Sequence, residues 1–494
     1  MNKLRGHSGI IKLVLMVTLS CITQVVSLMK SSIVAGTFGA SAEMDAFNFA
    51  NSVSAFLFSF VIAGVSTIVI PCYVKRTNKR NVNSFITAIF LGMLVITSLT
   101  LIIRIPIISL ITKRDSAFVD LSSDVLIVLI VSNFISILTS VTSAYFQYAE
   151  KYNIPKIITL VSQLIVVIIL GICREITIMQ YAFVIGAGVI LNSCVDVLFA
   201  IKSGWRCKPE FVFNEEETKA LFRTFVPVLF STGVYQLSLM IDSAIASRLN
   251  TGDITVLNYA NQISSIINTL LVSNLLIYFY PKLVKDVEEN KGQQSFWENT
   301  YFFHAIMCLV VAGYASIGRE GISLLFEHGE FNADAANTVF LLSFLYVSAQ
   351  QVNIIRDLIY RYFYSYGDTK STTVNSVFAT IINIICSLIL VRLMGLCGIV
   401  VGTAISSVAS LIMIMVRFKK SYGYNEKVKT IVIQYLKSIL IAFASMVVVW
   451  VTKNIWVINI DIISILIYGI EVVLVYTTLT LIFNKKVFVI SKKI

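Results

Sequence analysis

Apolar runs of about 20 residues, each closed by a short polar stretch, recur along the whole chain. That is the length at which a helix rising about 1.5 Å per residue crosses a hydrocarbon core of about 30 Å. The runs fall at about 9–29, 45–71, 83–104, 123–148, 154–172, 177–201, 222–247, 256–281, 298–318, 335–362, 371–391, 395–417, 432–452 and 461–483. They predict an all-α polytopic membrane protein with 14 transmembrane helices, because an open chain in lipid satisfies its own backbone only as helix. One run is written twice. Asn48 to Lys75 (NFANSVSAFLFSFVIAGVSTIVIPCYVK) aligns without a gap on Asn258 to Lys285 (NYANQISSIINTLLVSNLLIYFYPKLVK) at a constant offset of 210, with seven of 28 positions identical.

The repeat reaches further. Ser27-Leu28-Met29 in span 1 matches Ser238-Leu239-Met240 in span 7, and Gly188 and Ser193 in span 6 correspond to Gly402 and Ser407 in span 12. Spans 1–6 therefore pair with spans 7–12. Six crossings return the chain to its starting side, so the halves should be parallel repeats about an axis along the membrane normal. The expected organisation is an N lobe over 1–202, a cytoplasmic linker over 203–218, a C lobe over 219–420, and spans 13 and 14 with a basic tail over 421–494.

Composition agrees with the pattern. Of 494 residues 57% are hydrophobic and 13% charged, with six prolines, which excludes an ordinary soluble domain and a disordered chain. The net charge of +12 does not point to nucleic acid, because the cations cluster in alternate short connections, from Lys3, Arg5 and Lys12 to the terminal Lys492 and Lys493. By the positive-inside rule both termini are cytoplasmic, which requires an even number of spans. Met1 to Ser8 is basic like the start of a signal peptide, but no small-residue cleavage site follows, and the first run reads as an uncleaved span. The eight cysteines are scattered singly without metal-ligand spacing.

Polar residues inside spans face other helices or water. In span 8, Asn258, Asn261, Gln262, Ser265, Asn268 and Thr269 recur every three or four residues; its mate span 2 carries Asp45, Asn48, Ser52, Ser59 and Ser66. Span 10 shows Tyr346, Gln350, Asn353, Asp357 and Arg361, and span 4 Asn133, Ser136, Ser140, Ser143 and Gln147. A single serine is more simply glue between helices. Amide-rich stripes in symmetry-equivalent helices favour a shared aqueous cavity.

Charges within spans are few: Lys30, Asp45, Asp196, Asp242, Arg248, Arg356, Asp357, Arg361, Lys437 and Glu471. Snorkelling accounts for Arg248 and Lys437, and mutual neutralisation accounts for Asp357 and Arg361, four apart, as well as a site does. Lys30 and Asp242 lie deeper, where a cation suits an anionic headgroup and a carboxylate suits a coupling ion. The three histidines are dispersed and no carboxylate-rich loop accompanies them, so no catalytic or metal-binding residue is expected.

The segments IVAGTFGASAEMDAFNFAN (33–51), MIDSAIASRLNTGDITVLNYANQI (240–263), LLFEHGEFNADAANTVFLLSFLYV (324–347) and RYFYSYGDTKSTT (361–373) give the chain a family. It resembles the MurJ (MviN) lipid II flippases of the multidrug/oligosaccharidyl-lipid/polysaccharide exporter superfamily. The resemblance implies a two-lobe, V-shaped bundle that moves a polyprenyl-diphosphate-linked glycan to the outer leaflet of the bacterial cytoplasmic membrane by alternating access. Spans 13 and 14 would shape a groove for the lipid tail. Where the family places cavity arginines this chain has Gln24, Lys30, Phe58 and Gln262, so only Lys30 keeps the charge, while Asp45 and Asp242 match.

The residues expected to meet substrate are Gln24, Lys30, Asp45, Asn48, Asn51, Asn258, Asn261 and Gln262, with Lys30 on the diphosphate and the amides on sugars. By the same resemblance Asp242, Asn383 and Thr403 form a site for a coupling Na⁺ or H⁺, with Ser387 where a carboxylate would be expected; no other cofactor is implied. The expected partners are the lipid-linked oligosaccharide and membrane lipids, with no nucleic acid, and the chain reads as a monomer. The alternatives are another undecaprenyl-linked unit, of capsule or O-antigen, and a cation-coupled small-molecule antiporter, which spans 13 and 14 disfavour.

Overall fold

The computed structural model describes residues 2–74, 77–173, 175–273, 279–280, 283–287, 292–424, 428–458, 460–485 and 487. Among them all regular structure is helical. The helices are α1 (Asn2–Phe38), α2 (Ala42–Val74), α3 (Lys79–Ile102), α4 (Arg104–Thr112), α5 (Ser116–Tyr148), α6 (Asn153–Ile172), α7 (Ile178–Lys202) and α8 (Glu216–Ala246). They continue with α9 (Asp253–Ile267), α10 (Gly292–Phe326), α11 (Ala333–Ser365), α12 (Thr369–Met394), α13 (Leu396–Tyr422), α14 (Val428–Ile455) and α15 (Asp461–Phe483). Among the described residues, 11 helices are long and apolar enough to cross a membrane. Polar residues in the connections start them. Thr177 and Gln180 form a reciprocal capping box on α7, and Asn332 and Asp368 cap α11 and α12 with their side chains.

Two elements depart from the apolar-window expectation. Span 3 breaks at Ile103 and resumes as the short α4, with Pro106 in its first turn, where a missing N–H costs nothing. The second copy of the repeated run is not one uniform helix. α9 widens into a π-helical turn over Asn268–Ser273, whereas its counterpart α2 is α-helical for 33 residues.

The chain divides into two compact units, Met1–Thr255 and Val256–Ile494. In the first, α5 packs between α2 and α7, α1 lies on α6, and α8 lies on α2 and α3. Hydroxyls and amides join these helices. Asn133 donates to Ser54 at 2.9 Å, Thr139 to Ser193 at 2.9 Å, and the Ser52 and Ser243 hydroxyls pair at 3.0 Å. Such bonds hold apolar helices together where no hydrophobic drive separates lipid from protein. Gly188 lets α7 approach α6 so closely that a Cβ there would run into Val166.

The second unit is built on aromatic packing. Phe296, Trp297, Tyr362, Phe363 and Phe418 are buried together and join α10, α11 and α13. α14 and α15 pack on α10 around Cys308, Ala312, Val449, Tyr468 and Val472. They are tied to it by Tyr476, which donates to the Ala305 carbonyl at 2.7 Å, and by a Lys453–Glu320 ion pair.

The Arg248 guanidinium donates to the Ile111 carbonyl at 3.0 and 2.8 Å and caps the end of α4. One charge assignment is corrected. Asp357 pairs not with Arg361 but with its neighbour Arg356, at 2.8 Å. Arg361 lies over the rings of Tyr280 and Tyr364.

Candidate substrate and ion sites

In the first unit the polar residues of α2 converge on the start of α9. Asp45 is fully buried, with 0% exposure. Its Oδ2 accepts from the Gly252 amide at 2.7 Å, and its Oδ1 accepts from the Thr255 amide at 2.9 Å and the Thr255 hydroxyl at 2.8 Å. The carboxylate thus occupies the positive end of α9, where unpaired N–H groups favour an anion. Asn48, one turn on, donates to the Thr255 hydroxyl oxygen at 3.2 Å. Thr255 stands at the repeat offset from Asp45 (255 − 45 = 210), so the first copy carries the acceptor and the second the donor it binds.

Two further features make the junction fit. Gly252 has φ +91°, and a Cβ there would stand 2.5 Å from the Ala40 carbonyl oxygen, so only glycine is accommodated. Arg114, between α4 and α5, donates to the Ser247 carbonyl at 2.6 Å and the Asn250 carbonyl at 3.0 Å, while its guanidinium lies 3.6 Å from Asp45. Sequence reasoning missed Arg114, because a cation in a connection between helices carries no periodic signal.

Among the other expected substrate residues, Gln24, Lys30 and Asn51 are half-buried in the first unit, and Lys30 lines a cavity among α1, α2, α5, α6 and α7. In the second unit Asn258, Asn261 and Gln262 are half-buried on α9. Lower on the same helix, Ser264 accepts from the Gln350 amide at 3.1 Å, and Asn268 donates to the Gln350 carbonyl oxygen at 3.1 Å. These bonds join Ser264 and Asn268 to α11.

Of the expected ion site the structure brings together two members. Asn383 on α12 donates to the Thr403 hydroxyl oxygen on α13 at 2.8 Å, and Ser387 donates to the Ile399 carbonyl at 3.3 Å. Gly402 permits this approach, since a Cβ there would stand 2.7 Å from the Ser387 amide nitrogen. Asp242, buried on α8, belongs to the other compact unit.

With this geometry in place, the family model described as Lipid II flippase MurJ matches residues 34–469. The chain belongs to this family. A probable lipid II flippase MurJ from Rickettsia prowazekii is 24% identical over 424 residues, covering 81% of each chain. One from Thermotoga maritima is 22% identical over 415 residues, covering 81% of this chain and 83% of its own. Among solved structures, a lipid II flippase MurJ in an inward closed conformation superimposes with a TM-score of 0.82 at 18% identity, covering 96% of this chain and 100% of that one. An inward-facing multidrug resistance MATE family transporter of the MOP superfamily reaches 0.65 at 13% identity, covering 83% and 99%.

The fold is therefore the all-helical one common to MurJ and MATE proteins. As a MurJ-family member the chain is a multi-pass protein of the bacterial inner membrane, a transporter and not an enzyme. The region matched to MurJ includes the Asp45 junction and the Asn383–Thr403 pair, while Gln24 and Lys30 precede it.

Proposed function

We propose that this chain translocates a polyprenyl-diphosphate-linked cell-wall precursor of the lipid II type across the cytoplasmic membrane by alternating access. The observation that carries the reading is the MurJ family match over residues 34–469. In this reading the chain crosses the membrane 14 times, α2, α8 and the helix that begins with α9 adding to the 11 apolar helices, and both termini are cytoplasmic. Residues 1–202 and 219–420 form the repeated lobes, 203–218 links them, and α14 and α15 offer an apolar surface to the lipid tail.

Lys30 supplies the cation for the diphosphate. Gln24, Asn51, Asn258, Asn261 and Gln262 supply polar contacts to the headgroup. Asp45 and Asn48 act as positioning residues, holding the start of α9 through Thr255. Asn383, Thr403 and Asp242 remain the residues assigned to a coupling Na⁺ or H⁺, and the unit of transport is a monomer. No covalent step is involved, so no cofactor is required.

A second cargo, another undecaprenyl-linked unit of capsule or O-antigen, is favoured by one observation. Gln24, Phe58 and Gln262 stand where the resemblance leads one to expect arginine, and Phe58 is buried at 1% exposure. Depleting the protein and identifying the lipid-linked precursor that accumulates inside the cell separates the two, with rescue by a known lipid II flippase as the control. Accumulation of lipid II supports the first cargo, and accumulation of a different lipid-linked glycan the second. No accumulation would remove both.

A further inference from the structure

The cavity beside Lys30 lies wholly within the first compact unit and measures about 410 Å³, inside the range of roughly 300–1,000 Å³ typical of ligand sites. Its wall carries one cation. Lys30 has no hydrogen-bond or ion-pair partner among the described residues. Part of the remaining polar wall turns acceptors to the cavity. The hydroxyls of Ser136 and Ser193 donate to the carbonyls of Asn133 at 2.7 Å and Val189 at 2.9 Å, and Ser140 donates to Ile137 at 2.7 Å. A hydroxyl whose proton is spent on its own helix turns lone pairs outward. Between them stand Gln163 on α6 and Asn192 on α7, whose amide oxygens are buried and accept no hydrogen bond among the described residues.

Buried polar atoms left unpaired carry a desolvation cost that folding does not recover. What fits this wall must bring an acceptor of negative charge to Lys30 and N–H or O–H donors to the two amide oxygens. A metal cation would meet the charge of Lys30, and no group of three His, Cys, Asp or Glu gathers among the described residues. Inorganic phosphate would satisfy the lysine, but it brings at most two O–H donors, both on the group that the lysine holds. A sugar joined to a phosphate satisfies the lysine and the amides.

We infer that this cavity seats the phosphate-proximal sugar of the lipid-linked substrate, with Lys30 on the phosphate side and Gln163 and Asn192 accepting from the sugar's hydroxyl or acylamino groups. Gln163 and Asn192 are then specificity residues: they read the first sugar, not the lipid. The inference rests on the transport reading above, but it makes a separate demand. If the amides wait for a ligand, replacing them with apolar residues of similar shape removes only unpaired groups and leaves the empty protein at least as stable.

The test uses the full chain in lipid nanodiscs and a Gln163→Met/Asn192→Leu double variant. Binding is measured to polyprenyl diphosphate with and without one N-acetylhexosamine, and thermal unfolding is followed alongside. The wild type should bind the sugar-bearing lipid about tenfold or more tightly than the bare one, the difference that one or two directed hydrogen bonds supply. The double variant should lose that preference while unfolding at the same or a higher temperature, and Lys30→Gln should weaken both lipids alike. A double variant that keeps the sugar preference, or one that unfolds earlier, would overturn the assignment, leaving a cavity that holds water only. If the wild type binds neither lipid, the transport reading itself fails.

Discussion

A buried carboxylate is costly unless donors surround it, and Asp45 has three from the start of α9, with Arg114 alongside. Replacing it with asparagine keeps the shape, removes the charge that balances Arg114, and turns an NH₂ group toward an N–H donor. We expect Asp45→Asn to cost about 3 kcal/mol, as loss of one member of a buried pair does, read as earlier thermal unfolding in detergent. Arg114→Gln should cost less, and the double variant should fall short of the sum because the two residues share partners. Asp368 gives a different signature at the head of α12. Burial pushes its carboxyl up, but the hydroxyl and amide of Ser371, with Arg417 nearby, outweigh burial and hold it below the usual carboxylate range. A lowered folded pKa means stability present above the unfolded value of about 3.9 and lost as pH falls through the folded one. The stability difference between wild type and Asp368→Asn should therefore be full at neutral pH and shrink as the medium is acidified. Lys30 was legible as a charge in an apolar run. Arg114 was not, since it acts through Asp45, Ser247 and Asn250, all distant in sequence.

Hydropathy windows fix helices because length and apolarity are local properties. They are blind to α4, whose apolar residues continue those of α3, and to the π turn after α9, which a partner on another helix helps to hold. Gln350 is that partner, bonded to Ser264 and Asn268. Asn268 of the span 8 stripe thus meets an amide of another helix, and periodicity does not say whether a polar face meets water or another amide. We expect Gln350→Leu to lower the unfolding temperature, since it leaves Asn268 without this partner at a cost of about 1–3 kcal/mol. In the second unit the aromatic block is the main tie among α10, α11 and α13. Phe418 is fully buried at its centre, and Phe418→Ala should cost about 3–5 kcal/mol, enough to be seen as loss of folded protein in membranes.

At the scale of the whole molecule the repeat was the most informative feature of the sequence. The offset that aligns two apolar runs also relates Asp45 to the threonine it binds. The proposed sidedness rests on charge placement, and two native cysteines test it. Cys173, exposed after α6, should lie outside, and Cys207, in the linker after α7, inside. A membrane-impermeant maleimide applied to intact cells should label Cys173 and spare Cys207. In opened membranes Cys207 should react slowly at neutral pH, because burial pushes its thiol up to about 11 and leaves little thiolate. The most direct test of the account is reconstitution of the purified chain into liposomes containing a fluorescent lipid-linked cell-wall precursor, with an impermeant quencher added outside. Transport predicts that the protected inner-leaflet fluorescence falls with time in proteoliposomes and holds in empty vesicles, and that Lys30→Gln slows the fall. Equal protection with and without the protein would contradict it.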